Sequence, residues 1–433
     1  MTTDVTVVGA GLAGCEAAWQ LANRGARVRL CDMKPKKRSP AHTSAHMAEL
    51  VCSNSLKAEH LTNASGLLKA EMKRLGSLII AAAEKTRVPA GAALAVDRDE
   101  FAQEVTRAIA AHPNIHVETA LVDSLPDAPA IIATGPLTDP ALTDALTTLP
   151  GMRALNFFDA AAPIVTAESI DMDKAFRASR YGKGSDYINC PMTREEYDAF
   201  YDALVTAELA ELRDFEKNLV FEGCLAVEIL AGRGRQTLAF GPLKPVGLVD
   251  PRTGREPHAV VQLRQENAAG TLYNLVGFQT RLKFGEQKRV FSMIPGLARA
   301  DFARYGVMHK NTYLNSPEVL SANYAWQADA RIRFAGQFSG VEGYVESAAS
   351  GLVAAIGLFQ HMQGLPEPDF TGRTLLGALA RHVTAPSRDF QPMNANFGIL
   401  DPLPVRVRGK KLRYEQLSAC ALETIDAICK EIN

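Results

Sequence analysis

No stretch of this 433-residue sequence approaches the roughly eighteen consecutive apolar residues that a membrane helix requires, and the longest, such as residues 78–83, fall far short. No membrane association is expected. A strand-like segment begins at Thr3, leaving no room for a signal peptide, so a cytoplasmic location is expected. Cysteine is sparse: seven residues, an odd number, with no Cys-x-x-Cys pair, which argues against a disulfide framework or a zinc ribbon and fits a reducing compartment. There is no His-Glu-x-x-His either. His42 and His46 stand four apart with Cys52 following, too few ligands for a metal centre, and none is expected. Neither sign of charge dominates: 47 Lys and Arg against 48 Asp and Glu leave a net charge of −1. That excludes a broadly basic protein but not local basic patches. A length of 433 with 47% hydrophobic residues points to two or three globular domains.

What the sequence does have is concentrated at its start. Residues 3–8 are a β-branched run, as a buried parallel strand would be, and they lead into Gly9-Ala-Gly-Leu-Ala-Gly14. A helix is predicted over 15–22, then a second strand over 27–31 that ends in Asp32. This is the dinucleotide-binding fingerprint in context. Gly9 permits the tight turn, Gly11 lets a pyrophosphate approach the backbone, and Gly14 lets helix and strand pack closely. Val8, Ala10, Leu12 and Ala13 complete the expected contact set, and Asp32 is placed to accept from ribose hydroxyls. A purely structural glycine turn is the weaker alternative.

Further along, residues 33–40 read as a basic, proline-broken loop, solvated or touching phosphate. Cys52 precedes Ser53, Asn54 and Ser55, cap and turn residues that predict a loop just before a helix. A thiol there is equally readable as structural or reactive. One long helix is expected over 66–85, another from about 98 to 111, and strands over 115–119 and 128–135, the latter ending at Gly135, where a strand tip can pass over a nucleotide. From about 151 the rhythm changes, and an inserted α+β domain with a mixed sheet is expected, including strands over 238–243, 260–264 and 272–278. Inside it Cys224 stands between Gly223 and two acids, Glu222 and Glu228, and Arg233 and Arg235 suit an anion. Residues 280–291 are basic with interleaved Phe284 and Phe291, suited to RNA or a planar anion; a solvated strand pair is the plainer reading. His309 is more simply a structural residue. A second strong signal follows at 332–351, where a strand enters a glycine-rich loop with Gly336, Gln337, Gly340, Val341 and Gly343, and a helix opens at Tyr344. Its position some three hundred residues after the fingerprint indicates a flavin domain closed by both ends of the chain, with FAD rather than NAD as resident cofactor. Residues 405–413 form a basic loop before a final helix over 415–430, a footprint that suits RNA, though surface charge explains it nearly as well.

Residues 9–16, 52–56, 221–224, 277–280, 284–291, 293–297, 305–309, 315–317 and 336–351 together resemble the folate- and FAD-dependent tRNA (uracil-5-)-methyltransferases, the TrmFO family of smaller GidA-like flavoproteins. Ser292 and Ala226 depart from the family pattern, which expects a basic residue and a proline there. The resemblance implies an α/β fold: an FAD-binding, Rossmann-like domain of glutathione-reductase type over 1–150 and 326–433, with an α+β domain for substrate and RNA inserted over 151–325. It implies C5-methylation of the T-loop uridine of tRNA, with 5,10-methylenetetrahydrofolate as carbon donor and NADPH or NADH as reductant. Cys224 is then expected as nucleophile and Cys52 as proton-transfer or protective partner, with the reverse assignment open. His309 and Tyr344 are expected at the folate and flavin, and Arg281, Lys283, Lys288 and Arg289 at folate carboxylates or RNA phosphates. A monomer or weak dimer is expected. With no second Gly-x-Gly-x-x-Gly, the nicotinamide cosubstrate visits without a domain of its own. The rival readings are GidA-like wobble-uridine modification, a noncatalytic FAD-containing RNA binder or redox sensor, and an ordinary NADPH oxidase or reductase.

Overall fold

A computed structural model describes residues 4–39, 41–210, 225–387 and 390–432, with the backbone alone at 157–159 and 309–310. The fingerprint strand Asp4–Val8 lies inside a six-stranded sheet in the order Ala325–Trp326, Asp329–Phe334, Ala130–Ile132, Asp4–Val8, Arg27–Asp32, Ile115–Thr119. All but the Ala325–Trp326 edge pair in parallel. Val5, Val7 and Val8 are buried, as a strand covered on both faces demands. The helix Leu12–Asn23 covers one face with small residues (Ala13, Gly14, Ala17, Ala18), and the long helix Tyr344–Met362 packs directly on it. At the crossing a Cβ on Gly351 would stand 2.2 Å from the carbonyl oxygen of Ala13, so the two backbones touch and their amino termini converge.

The segment between the two ends builds a second six-stranded sheet, from Phe176–Arg177, Tyr187–Met192, Ala259–Gln265, Leu272–Leu275, Ile164–Thr166 and Phe302–Arg304 in spatial order. Every pairing in it is antiparallel, not mixed as the sequence suggested. For one pair the reason is local: Ala259–Gln265 and Leu272–Leu275 are joined by a short turn at Asn267–Gly270, and short turns join only antiparallel strands. Its inner face (Ile188, Cys190, Val261, Leu263, Leu275) packs on Tyr197, Phe200 and Leu204 of the helix Arg194–Val205, which a Thr193/Glu196 capping box starts. A two-stranded ribbon, Ala154–Ala160 against Met308–Leu314, carries the chain between the two sheets.

Several local expectations change. The single helix over 66–85 is two, Ala64–Arg74 and Leu78–Lys85, interrupted at Gly76 (φ +71°), with Ser77 capping the second through the N–H of Ile80. Residues 238–243 do not form a strand; Thr237–Phe240 is a short helix. Residues 284–291 are a helix, not a strand pair, and bury Gln287, Val290 and Phe291 at helical spacing. No helix among the described residues is long and apolar enough to cross a membrane.

Candidate active site

The fingerprint turn is held by contacts that only glycine permits. Gly9 sits at φ +97°, and a Cβ there would lie 2.5 Å from the Ala133 carbonyl oxygen. A Cβ on Gly14 would lie 1.7 Å from the Gly9 carbonyl oxygen, which fixes how closely the helix follows the turn. At Gly11 and Gly135 a Cβ would meet nothing within 4 Å, so both backbones face open space. The carboxylate of Asp32 accepts from the N–H of Ala10 (2.6 Å) and of Lys34 (2.8 Å), tying the turn to the second strand. A carboxylate has further lone pairs to offer a ribose hydroxyl. At the other end of the chain Gly336 (φ +75°) leads through Gln337 and Gly340 to Gly343 (φ +113°), the residue before the helix Tyr344–Met362. Phe390 lies close enough that a Cβ on Gly340 would be 2.4 Å from its ring, and Val341 bridges to Met393.

Three cavities run from one glycine turn to the other. The first, about 50 Å³, lies between Val8, Gly9, Cys31 and Met33 on one side and Thr134 and Leu137 on the other. The second, about 130 Å³, is lined by Gly11, Leu12, Ala13, Gly135 and Gly336 and by the half-buried Lys34, His42 and Glu49. The third, about 240 Å³, is lined by Cys52, Lys57, Gln279, Asn311, Gln337, Gly343, Tyr344 and Asn394. The first shares Thr134 and Leu137 with the second, and the second shares Val51, Pro136, Leu137, Gln337 and Tyr344 with the third, so they form one elongated groove. The amino termini of two helices, at Leu12 and Tyr344, open onto it with unpaired N–H groups and positive dipole ends. Such a groove fits an extended dinucleotide, the pyrophosphate at the bare Gly11 backbone and the ring system toward Cys52.

Cys52 lies half-buried at the far end. Its N–H and that of Ser53 both donate to the Tyr344 hydroxyl (2.7 and 3.1 Å), and its thiol donates to the Ala160 carbonyl at 3.6 Å. Burial pushes the Tyr344 phenol up, and Cys52 adds to that, so the ring stays neutral. No helix follows Cys52; Ser55–Ala58 is a strand. The cap-like residues are recruited elsewhere. The Asn54 amide donates to the carbonyls of Val96 (3.0 Å) and Gln265 (2.9 Å), and Arg264 donates to Asn54 Oδ1 and Ser53 Oγ at 2.8 Å. Arg98 donates to the Leu50 carbonyl (2.8 Å) and pairs with the buried Glu266 (2.7 Å). The loop is thus bolted to the second sheet and to the segment 96–98.

The profile described as "Glucose inhibited division protein A" matches residues 4–366. Two relatives named methylenetetrahydrofolate--tRNA-(uracil-5-)-methyltransferase TrmFO match end to end. That of Halalkalibacterium halodurans is 55% identical over 433 residues, covering 100% of both chains. That of Desulfitobacterium hafniense is 58% identical over 425 residues, covering 98% of this chain and 97% of its own.

The chain belongs to the TrmFO family.

In fold it is also similar to GidA of Aquifex aeolicus, with a TM-score of 0.68 over 99% of this chain and 76% of that one at 16% identity. The FAD-binding, Rossmann-type architecture expected from the fingerprint is the one found. The groove of this TrmFO family member gathers the expected Val8, Gly9, Gly11, Leu12, Ala13, Gly135, Gly336, Gln337, Gly343 and Tyr344, together with Cys52. Cys224 and Glu222 lie outside the described residues. The backbone of His309 pairs with Asp159 in the connecting ribbon. Arg281, Lys283, Lys288 and Arg289 do not line the groove. Arg281 stands 3.9 Å from Glu228, Lys283 pairs with Glu208 (2.7 Å) and Arg289 with Glu286 (2.6 Å). Arg235 is likewise occupied, paired with Asp198 and Asp202 over the ring of Tyr201. Glu228, an expected neighbour of the thiol, is a structural acceptor: it takes the Thr280 hydroxyl (2.9 Å) and the Arg281 N–H (3.0 Å), and burial raises its pKa. Sequence reasoning missed Lys57, Gln279, Asn311 and Asn394 on the wall. Gln279 sits in a motif the sequence already marked, but its polar type alone carried no signal.

Proposed function

We propose that this protein methylates C5 of the T-loop uridine of tRNA, taking the carbon from 5,10-methylenetetrahydrofolate, with FAD in the groove and NADPH or NADH as reductant. The observation that carries the reading is the single groove running from the fingerprint turn to Cys52, in a chain that matches TrmFO relatives over its whole length. Bound FAD supplies the redox chemistry that turns the transferred carbon into a methyl group. The backbone at Gly11–Ala13 and the helix start at Tyr344 hold the cofactor's charge and orient it, and Asp32 takes ribose hydroxyls.

Uracil C5 is a poor nucleophile until a thiolate adds to C6, which places negative charge on C5; after carbon transfer a base removes the C5 proton and the C6–S bond breaks. Cys224 is assigned the attack and Cys52 the proton transfer. Val227, three positions after Cys224, donates to the Gln279 carbonyl at 2.7 Å, and Gln279 is on the cavity wall. Residues 151–325 act as the unit that closes the cavity over the flavin domain of 1–150 and 326–433, bringing Ala160, Gln279 and Asn311 to it. The ribbon Met308–Leu314 delivers Asn311 to the wall.

The test incubates the protein with unmodified tRNA transcript, NADPH and labelled methylenetetrahydrofolate, beside Cys224→Ala. Label in T-loop 5-methyluridine, lost in the variant, is expected. Label at another nucleoside, or none despite bound FAD and reduced cofactor, overturns the reading.

A further inference from the structure

Beyond the groove, the turn Phe397–Ile399, the irregular residues 400–409 and the start of the helix Lys410–Ile432 enclose a broad, open trough of about 1060 Å³. Between 402 and 414 the chain carries Arg406, Arg408, Lys410, Lys411 and Arg413 and no carboxylate. Among the described residues only Lys411 finds an acid, Glu415 at 3.9 Å; the other four make no ion pair. Asp401, the acid on the trough wall, is held by Arg381 at 2.8 Å. Tyr414 stacks flat on Phe397 (centroids 4.1 Å, 14°), with the guanidinium of Arg413 5.4 Å from its ring centre, which stiffens the wall that Arg413 belongs to. Unneutralised like charges this close repel one another, a cost that a bound polyanion removes. Arginine forks match phosphate oxygens in particular.

The trough is attached to the catalytic cavity. Asn394 lines the cavity and Phe397 lines the trough, so at most about 11 Å of chain separates the two walls. That link is fixed: Lys57 donates to Asn394 (3.2 Å), Ala395 donates to the buried Glu346 (3.1 Å), and Met393 exchanges hydrogen bonds with Gly340 and Glu342. We infer that this trough docks the sugar–phosphate backbone of tRNA, through Arg406, Arg408 and Arg413, and so holds the substrate where a flipped base reaches the Cys52 cavity. The inference rests on the tRNA reading above and adds to it the surface that receives the RNA. Phosphate contacts of this kind position the strand and carry no sequence information.

The test measures binding of labelled, unmodified tRNA transcript to the full-length holoprotein by anisotropy between about 50 and about 200 mM salt. Arg406→Ala/Arg408→Ala/Arg413→Ala is expected to weaken binding by at least about tenfold at the lower salt, and to lower the slope of log K against log salt by about 2 to 3. Methylation at saturating tRNA keeps its rate while KM rises. The lysine triple, which keeps the charge, restores most of the slope. Flavin absorbance and melting temperature report whether the alanine triple is intact, and Arg408→Glu alone gives the same reading if it is not. Affinity and slope unchanged within about twofold overturn the proposal. A wild type that methylates normally beside an unaffected triple sinks the trough alone; a wild type that binds tRNA through the trough but forms no 5-methyluridine sinks the activity alone.

Discussion

Residues 281–289 and 405–413 look alike in the sequence, each a short stretch dense in Lys and Arg with an aromatic residue nearby. In the folded chain they are opposites. Arg281, Lys283 and Arg289 each stand against an acid, Glu228, Glu208 and Glu286 respectively, while Arg406, Arg408 and Arg413 have none among the described residues. A count of cations therefore says little about which surface attracts a polyanion. What decides it is whether the fold brings carboxylates to them, and two of the three partners here come from 53 and 75 positions away.

The sharpest way to break this contrast is to remove an acid from the neutralised stretch. Glu228→Ala leaves the Thr280 hydroxyl and the Arg281 N–H buried without an acceptor, and should cost about 3 kcal/mol in a denaturant titration, with the loss of the 280–283 geometry. A change below about 1 kcal/mol would mean that water replaces the carboxylate and that the stretch is less rigidly built than its contacts imply. Next in size is the tenfold or greater loss of tRNA affinity for the trough triple.

A pH experiment separates Glu228's charge from its shape. Burial raises its folded pKa above the ordinary 4.5, so the folded protein holds a proton that the unfolded chain releases. Its contribution is complete at low pH and declines as pH rises above about 4.5, so wild type should lose stability relative to Glu228→Gln across that range. Parallel stability curves would refute this. The smallest effect is expected from Lys283→Ala/Arg289→Ala: less than about 1 kcal/mol in stability, because both pairs are exposed, and less than about threefold in tRNA affinity. A larger loss of affinity would show that RNA opens these pairs, and would make the two stretches alike.

Much of the cofactor end was legible because its constraints are local. Gly9 and Gly14 are demanded by contacts within the turn and with the strand beside it, and Asp32 closes on Ala10 across one βαβ step. The Cys52 end was harder to read. Ser53, Asn54 and Ser55 have the residue types of a helix cap, but Asn54 bonds to Val96 and Gln265, and Arg264 reaches in from the second sheet. Those partners are 42 to 211 positions away, beyond any periodicity argument. The helix Phe284–Phe291 was obscured differently: its exposed face is so rich in charge that the spacing of Gln287, Val290 and Phe291 was outweighed. The sheet taken as mixed is antiparallel throughout, and between Ala259–Gln265 and Leu272–Leu275 the short connecting turn forces that arrangement.

The strand order has a consequence for how the molecule comes into being on the ribosome. Asp329–Phe334 pairs with Ala130–Ile132, about two hundred positions earlier, and the helix that meets Leu12–Asn23 comes later still. Every strand of the second sheet, by contrast, falls between 164 and 304. The second sheet therefore has all its strands in hand while the first still lacks two, and the nascent fingerprint strand waits with an unpaired neighbour. A nascent chain stopped near residue 324 should protect the second sheet from protease and retain no flavin; one extended past Met362 should protect the sheet and retain flavin as well.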